Sequence, residues 1–148
     1  GGITYHFPTK EALLRGLLES DLGRWSEAEA AQAPSDCDPE TARLVGFIRA
    51  FTAQDDDRRR FLCGMLSAAT LDPSLMDPCR EEMKARLGRV SWTERDLRMH
   101  LLKLAVEGLV WQELLQVFSM PAPARRRLVA LMEQLAREWG HDRQTDVA

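Results

Sequence analysis

The residue types that most often carry catalysis or bind metals are few and scattered in this sequence. Its histidines lie in separate segments, at His6, His100 and His141, and neither an HExxH nor a GxSxG string occurs. The cysteines are odd in number and form no CxxC pair, which argues against a disulfide scaffold or a zinc site: Cys37, Cys63 and Cys79. We therefore expect no enzyme, no metal and no cofactor. A small helical enzyme that uses His100 and Glu107 is kept as a distant alternative.

Composition indicates an ordinary globular chain. Its 148 residues are 45% hydrophobic and 29% charged, with a net charge of -3 and an isoelectric point near 5.7. The net charge is slightly negative, whereas a nucleic-acid-binding protein typically carries an excess of basic residues. Charged residues interrupt the longest apolar stretch, and no signal peptide is recognisable, so we expect a cytoplasmic protein.

Helix signals dominate, and no convincing strand is found. Thr9 is predicted to cap a first helix that runs to about Ala31, and Asp38-Pro39 to start a second one. A third helix follows the acids at 55–57. The fourth segment should be a short turn and then a helix from Pro78 to Arg89, because Pro78 cannot lie inside a helix. Two further helices are predicted over 94–119 and 123–139, with Gly140 as a left-handed cap.

The fifth helix carries two apolar stripes, more than one core contact requires. Leu97, Leu101, Leu104, Ala105, Gly108, Trp111 and Leu115 form the first stripe. The second stripe, with part of the last helix, is predicted to form a four-helix bundle with a second copy: Leu102, Val106, Leu109, Val110, Leu114, Val117, Leu128, Leu131, Met132 and Leu135. The alternative is that this helix is simply the centre of a monomeric bundle.

One string in the sequence has a specific spacing. Residues 1–14 read GGITYHFPTKEALL, with an aromatic residue, His, Phe, Pro, Thr, Lys, Glu and two leucines in order. This string resembles the tetracycline-repressor (TetR) family, in which such a pattern joins the end of the recognition helix to the next helix. A looser similarity to one subgroup of that family covers residues 107–115, which read EGLVWQELL.

The resemblance implies a DNA-binding role for the start of the chain. Thr4, Tyr5, His6 and Lys10 would contact DNA, mainly its backbone, and Gly2 would face the base edges. Lys10 adds its charge to the free N–H groups of a helix N-terminus, which favours anions. Because glycine has no side chain to read a base, base contacts are expected from residues upstream of Gly1. The absence of Met at position 1 also leads us to expect such an upstream segment.

The resemblance further implies a ligand cavity within the second to fifth helices, bounded by the first. The mixture of aromatic, apolar and few polar groups suits a flat or greasy molecule. At each single position, ordinary core packing is the competing interpretation. The candidates are Phe47, Phe51, Met65, Met83, His100, Leu104, Glu107 and Trp111.

Together these observations predict an all-α, six-helix regulatory domain attached to the end of a helix-turn-helix domain. Residues 1–9 would end the recognition helix, 10–140 would bind ligand and dimerise, and 141–148 would be a flexible tail. The expected function is a dimeric, ligand-released transcriptional repressor, whose partners are operator DNA, a small-molecule effector and a second copy. The alternative is an all-α interaction or lipid-binding module with no DNA role.

Overall fold

The computed structural model describes residues 9–141, without the side chain of Glu11. Within that range the chain is helical and contains no strand, as predicted. Six α-helices follow one another, with a single 3-10 turn at Pro73–Met76. The helices are α1 (Lys10–Gln32), α2 (Pro39–Thr52), α3 (Asp56–Leu71), α4 (Asp77–Leu87), α5 (Glu94–Leu114) and α6 (Ala122–His141).

The predicted helix starts are confirmed by their hydrogen bonds. The Thr9 hydroxyl accepts a hydrogen bond from the Ala12 N–H at 3.0 Å. The Asp38 carboxylate caps α2, with a proline in the first turn. Thr93 and Asp96 form a reciprocal capping box at the start of α5. Local sequence therefore fixes where these helices begin.

Two predicted helix ends are wrong. α5 ends at Leu114 and not at Ser119, because Gln116 adopts a left-handed φ of 54°. The N–H groups of Gln116 and Val117 then bond back to Glu113 and Gln112, as in a Schellman turn. A glutamine at that position gives no sequence signal, since glycine is the usual residue there.

The second correction concerns Gly140. It does not end the last helix in a left-handed conformation, because α6 continues to His141 and no described glycine has a positive φ. Instead, Gly140 allows α6 to approach Thr41 of α2. A Cβ placed at Gly140 would overlap the Thr41 hydroxyl and lie 3.0 Å from its Cβ.

The described chain divides into two compact units. Residues 9–26 and 56–90 form the first, which holds most of α1 together with α3, the 3-10 turn and α4. Its buried side chains include Leu18, Trp25, Met65 and Leu75. Residues 27–55 and 91–141 form the second, which holds α2, α5 and α6.

The second unit is built around α2, which packs against both α5 and α6. Val45 and Ile48 of α2 are fully buried, and so are Val106 of α5 and Ala136 of α6. Gly46 lets the backbone of residues 29–33 lie against α2. A Cβ there would overlap the Glu29 carbonyl oxygen and lie 3.1 Å from the Ala33 nitrogen.

Substitution of Gly46 tests this close approach. Gly46→Ala should lower the free energy of unfolding by about 1–3 kcal/mol, because the new methyl group meets backbone atoms that cannot rotate away. Gly23→Ala is the matched control, since a Cβ there has nothing within 4 Å. The control should raise stability by about 0.5–1 kcal/mol through helix propensity. Urea unfolding measures both, and equal stabilisation by the two variants would contradict the packing.

Candidate functional site

The structure describes only one of the predicted DNA-binding residues. Gly2, Thr4, Tyr5 and His6 lie outside the described residues. Lys10 is the first residue of α1, and it is exposed. Its charge therefore lies at a helix N-terminus, as expected.

Three of the eight ligand candidates come together where α2 meets α5. The rings of Phe47 and Phe51, one turn apart on α2, are stacked with centroids 5.2 Å apart and planes 15° apart. Lys103 Nζ of α5 lies 5.5 Å from the Phe47 ring centroid and 3.9 Å from Glu107 Oε1. These four residues are called here the aromatic–cation cluster. Lys103, which holds it together, was not among the sequence candidates.

Burial and charge in the cluster combine features of a core and of a binding site. Phe47 is buried and Phe51 is half-buried, whereas the side chains of Lys103 and Glu107 keep 19% and 31% of their exposure. The two stacked rings, of which only Phe51 is partly exposed, thus lie next to one cation and one anion. This combination offers stacking together with a few directional polar contacts.

The other candidates lie elsewhere. His100 meets Trp92 edge to face, with ring centroids 5.4 Å apart and planes at 86°. Trp92 has a φ of 55°, which is a strained conformation for a bulky residue. Trp111 is half-buried and Leu104 is 51% exposed. Met65 and Met83 belong to the first unit, where Met65 is buried and Met83 half-buried.

The first unit contains a buried charge on α1. Asp21 is only 4% exposed, and its carboxylate lies 3.1 Å from the Arg58 guanidinium of α3. The same guanidinium lies 4.5 Å from the ring centroid of Trp25, one turn further along α1. Removing either charge would break this largely buried ion pair, which is destabilising. The sequence alone assigned neither Asp21 nor Trp25 a functional role.

A second polar cluster ties the start of α2 to α5. The Asp38 carboxylate accepts bonds from the Glu40 and Thr41 N–H groups at 3.1 and 3.3 Å, and Arg95 of α5 donates to it at 3.3 Å. Arg95 also pairs with Glu40. Burial opposes ionisation of Asp38, but the hydrogen bonds from Thr41 and the charge of Arg95 outweigh it and hold the pKa of this carboxyl below its usual value.

A groove of about 600 Å³ follows one face of α6. Several of its charged groups are already paired within the chain. Arg125 donates to Glu113 at 2.6 Å, and Glu133 accepts from Arg49 at 2.8 Å. Because the groove offers mainly groups that are already bonded, we do not assign the ligand to it. The lining residues are Arg125, Arg126, Val129, Ala130, Glu133, Gln134, Arg137, Glu138 and His141.

The two stripes of α5 have the opposite roles to those expected. The residues predicted for contact with a second copy are largely in the chain's own core, since Leu102, Val106, Leu109, Val110 and Leu114 are all at most 9% exposed. Their side chains pack inward, where a second chain cannot reach them. In the first stripe, by contrast, Leu97, Leu101, Leu104 and Leu115 are 50–59% exposed, so this face of α5 is the open one.

The remaining predicted interface residues divide between surface and core. Val117 is 75% exposed, but it lies beyond the end of α5. On α6, Leu131 is 47% exposed, Leu128 and Leu135 are half-buried, and Met132 is buried. The surface of α6 that a second copy can contact therefore includes Leu131, with Leu128 and Leu135 beside it.

Two further findings concern the described residues. In the range 9–141, no three His, Cys, Asp or Glu side chains are grouped so that they could hold a metal ion. None of the helices in that range combines the length and apolar character needed to cross a membrane.

The fold defines the class as an all-α domain in which α2, α5 and α6 surround a shared core. Residues 41–137, about two thirds of the chain, match the family model described as "Tetracyclin repressor-like, C-terminal domain". The chain belongs to this family, as the string at its start indicated. No curated protein and no solved structure matches the chain.

The charge of Asp38 can be tested through pH. Asp38→Asn keeps a capping oxygen but removes the charge that faces Arg95, so it should lower the free energy of unfolding by about 1 kcal/mol at pH 7. The folded-state pKa of Asp38 is depressed, so the advantage of the wild type is complete above the ordinary Asp pKa of about 3.9. It is lost as the pH falls through the folded-state pKa.

Urea unfolding between pH 7 and pH 3 measures this difference. Asp57→Asn is the control, because the carboxylate of Asp57 is 88% exposed and its pairing with Arg60 contributes little. A gap between wild type and Asp38→Asn that does not shrink at low pH would show that the charge is not what stabilises this end of α2.

Proposed function

We propose that this chain is the regulatory part of a transcriptional repressor that binds operator DNA as a dimer and releases it when a small molecule binds. The observation that carries the proposal is the family match over residues 41–137. Two features support it: the aromatic–cation cluster as a place for an effector, and the open stripe of α5 as a contact for a second copy. DNA contact is assigned to the start of the chain, where Lys10 begins α1.

The proposed effector is a flat, largely apolar molecule with one or two polar groups. Its apolar part would lie against the Phe47 and Phe51 rings, and its polar groups would replace the 3.9 Å contact between Lys103 and Glu107. This contact is longer than a charge-assisted hydrogen bond, so replacing it costs less than replacing a close ion pair. An effector can therefore compete for either charge at low cost.

The proposed switch is a change in α1. In a dimer, two recognition helices bind successive turns of DNA roughly 34–36 Å apart. An effector that favours a different position of α1 would change this spacing, and a coupling of about 1–3 kcal/mol lowers operator affinity roughly 5- to 150-fold. The hydroxyl of Thr9 caps the start of α1, the helix that would change position.

Effector binding is tested by thermal shift with a library of flat aromatic compounds. A hit at 100 times its dissociation constant should stabilise the wild type by about 2.7 kcal/mol. Lys103→Met and Phe51→Leu should each weaken binding at least tenfold, because they remove the cation or the stacked ring. Gln134→Ala, on the α6 groove, is the control and should leave the shift unchanged. If both cluster variants kept the full thermal shift, the effector would bind at a site other than the aromatic–cation cluster.

The same hit then tests the repressor function. The polypeptide that the gene encodes should retain DNA fragments selected from its own genome, and the hit should release them in a gel shift. If the protein retained DNA equally with and without the hit, the proposed switch would be wrong. Failure to select any DNA, together with effector binding, would favour the ligand-binding module without a DNA role.

Dimerisation is tested by mass measurement in solution at micromolar concentration. The wild type should have twice the chain mass, and Leu101→Glu should have the single mass, because a charge in the open stripe would be desolvated on contact. Leu71→Glu is the matched control: Leu71 is 89% exposed at the end of α3, and its substitution should keep the dimer. A monomeric wild type would exclude the dimer.

A further inference from the structure

The connection between α2 and α3 contains a buried amide that has no hydrogen-bond partner. Gln54 lies two residues beyond the end of α2, and both its Oε1 and its Nε2 atoms are shielded from solvent. Neither atom bonds to another group within residues 9–141. A buried amide normally finds partners, because leaving its donor and its acceptor unpaired costs free energy.

Gln54 differs in this respect from the buried guanidinium of Arg95. Arg95 also has one unpartnered nitrogen, Nε, but its terminal nitrogens donate to Asp38, Glu40 and Thr41. In Gln54 the whole functional group is unpartnered, donor and acceptor together. Such a group needs an explanation other than the stability of the folded chain.

Gln54 is close along the chain to the aromatic–cation cluster. It follows Phe51, the partly exposed ring of the stacked pair, by three residues, and both belong to the second unit. Three residues span no more than about 10–11 Å between Cα atoms. The connection is not helical at Gln54, and its neighbours Ala53 and Asp55 are exposed. A flat molecule that lies on the Phe51 ring is therefore within reach of the Gln54 side chain.

The chemistry of an amide determines which group of a ligand it recognises. A glutamine side chain presents a carbonyl acceptor next to an N–H donor. Its complement is a group that carries an N–H donor next to a carbonyl acceptor, so that two parallel hydrogen bonds form. A lactam fused to an aromatic ring has such an edge, and it is flat, as stacking on a phenylalanine ring requires.

We infer that Gln54 is a specificity-determining residue of the effector site and binds the lactam edge of a flat aromatic effector through two parallel hydrogen bonds. This inference rests on the proposed effector site and adds the chemical class of the effector. A hydrogen bond usually contributes little net free energy, because each partner first gives up its bond to water. The Gln54 amide is already shielded from solvent, so its bonds to a ligand are offset less.

The test uses three flat bicyclic compounds as probes and measures their dissociation constants by NMR titration. In 2-quinolinone the N–H and the carbonyl group are adjacent. N-methyl-2-quinolinone lacks the donor, and 4-quinolinone has the same atoms with the two groups on opposite sides of the ring. The wild type should bind 2-quinolinone roughly tenfold or more tightly than either analogue. Equal affinity for all three compounds would overturn the inference.

A variant of Gln54 tests the residue itself. Gln54→Met keeps the length of the side chain and removes both polar atoms, so it should bind the three compounds with equal affinity. Without ligand, its midpoint of urea unfolding should be higher than that of the wild type, because an unpaired buried amide is replaced by an apolar group. A lower midpoint would show that the amide is bonded in the folded chain and would overturn the inference. A preference for 2-quinolinone that survives in the variant would do the same.

Gln134→Met is the matched control. Gln134 is exposed on α6, and its amide donates to Glu138 at 2.7 Å. The same substitution there should keep the preference for 2-quinolinone and change the unfolding midpoint little. A control variant that also lost the preference would contradict the assignment to Gln54.

The outcomes distinguish this inference from the proposed function. If flat aromatic compounds bind at the aromatic–cation cluster but 2-quinolinone is not preferred, the inference alone is wrong. If 2-quinolinone is preferred through Gln54 but no effector releases DNA, the proposed repressor is wrong and the inference stands. If no flat aromatic compound binds the wild type, both the effector site and the inference are overturned.

Discussion

The packing of the second unit depends on two places where backbone comes too close to a neighbour for any side chain to fit between them. At Gly46 the end of α1 lies against α2, and at Gly140 α6 lies against Thr41. These contacts bring the helix axes close enough for Val45, Ile48, Val106 and Ala136 to be fully buried. The absence of a side chain at Gly46 and Gly140 is therefore as important for the core packing as the apolar residues that fill the core.

Because α2 is at the centre of this packing, only one face of α5 is buried, and the opposite face remains exposed. Its buried face contributes Leu102, Val106 and Leu109 to the core, and its exposed face carries leucines without charges. The same helix also supplies Lys103 and Glu107 to the aromatic–cation cluster. One helix therefore connects the chain's core, a candidate effector site and a candidate contact with a second copy. Substitutions on α5 must be chosen by face, since neighbouring residues serve different purposes.

The sequence predicted where the helices begin more accurately than it predicted which of their faces are buried. Helix starts have local signals, such as Asp38-Pro39 and the Thr93–Asp96 box, that act through hydrogen bonds within a few residues. The end of α5 had no such signal, because a glutamine takes the left-handed position. The two apolar stripes of α5 are nearly equal in sequence, so only tertiary packing determines which one is buried.

The candidate site was predictable only in part, for a similar reason. Phe47, Phe51 and Glu107 were predicted as candidates because they are aromatic or acidic residues on otherwise apolar helices. Lys103 was missed because a lysine in sequence is usually solvated, and its position over the Phe47 ring appears only when α2 and α5 are packed. Likewise, the sequence around Asp21 is typical of a surface acid, and only the packing of α3 against α1 brings Arg58 beside it.

The contact of Arg58 with α1 has a consequence for how that helix can move. Asp21 and Trp25 are one turn apart on the same side of α1, and a single guanidinium touches both. A turn of the helix about its own axis by one residue, about 100°, would carry both away from the cation. The arginine therefore holds this part of α1 in one rotational position against α3, because a rotation of the helix would break both contacts at once.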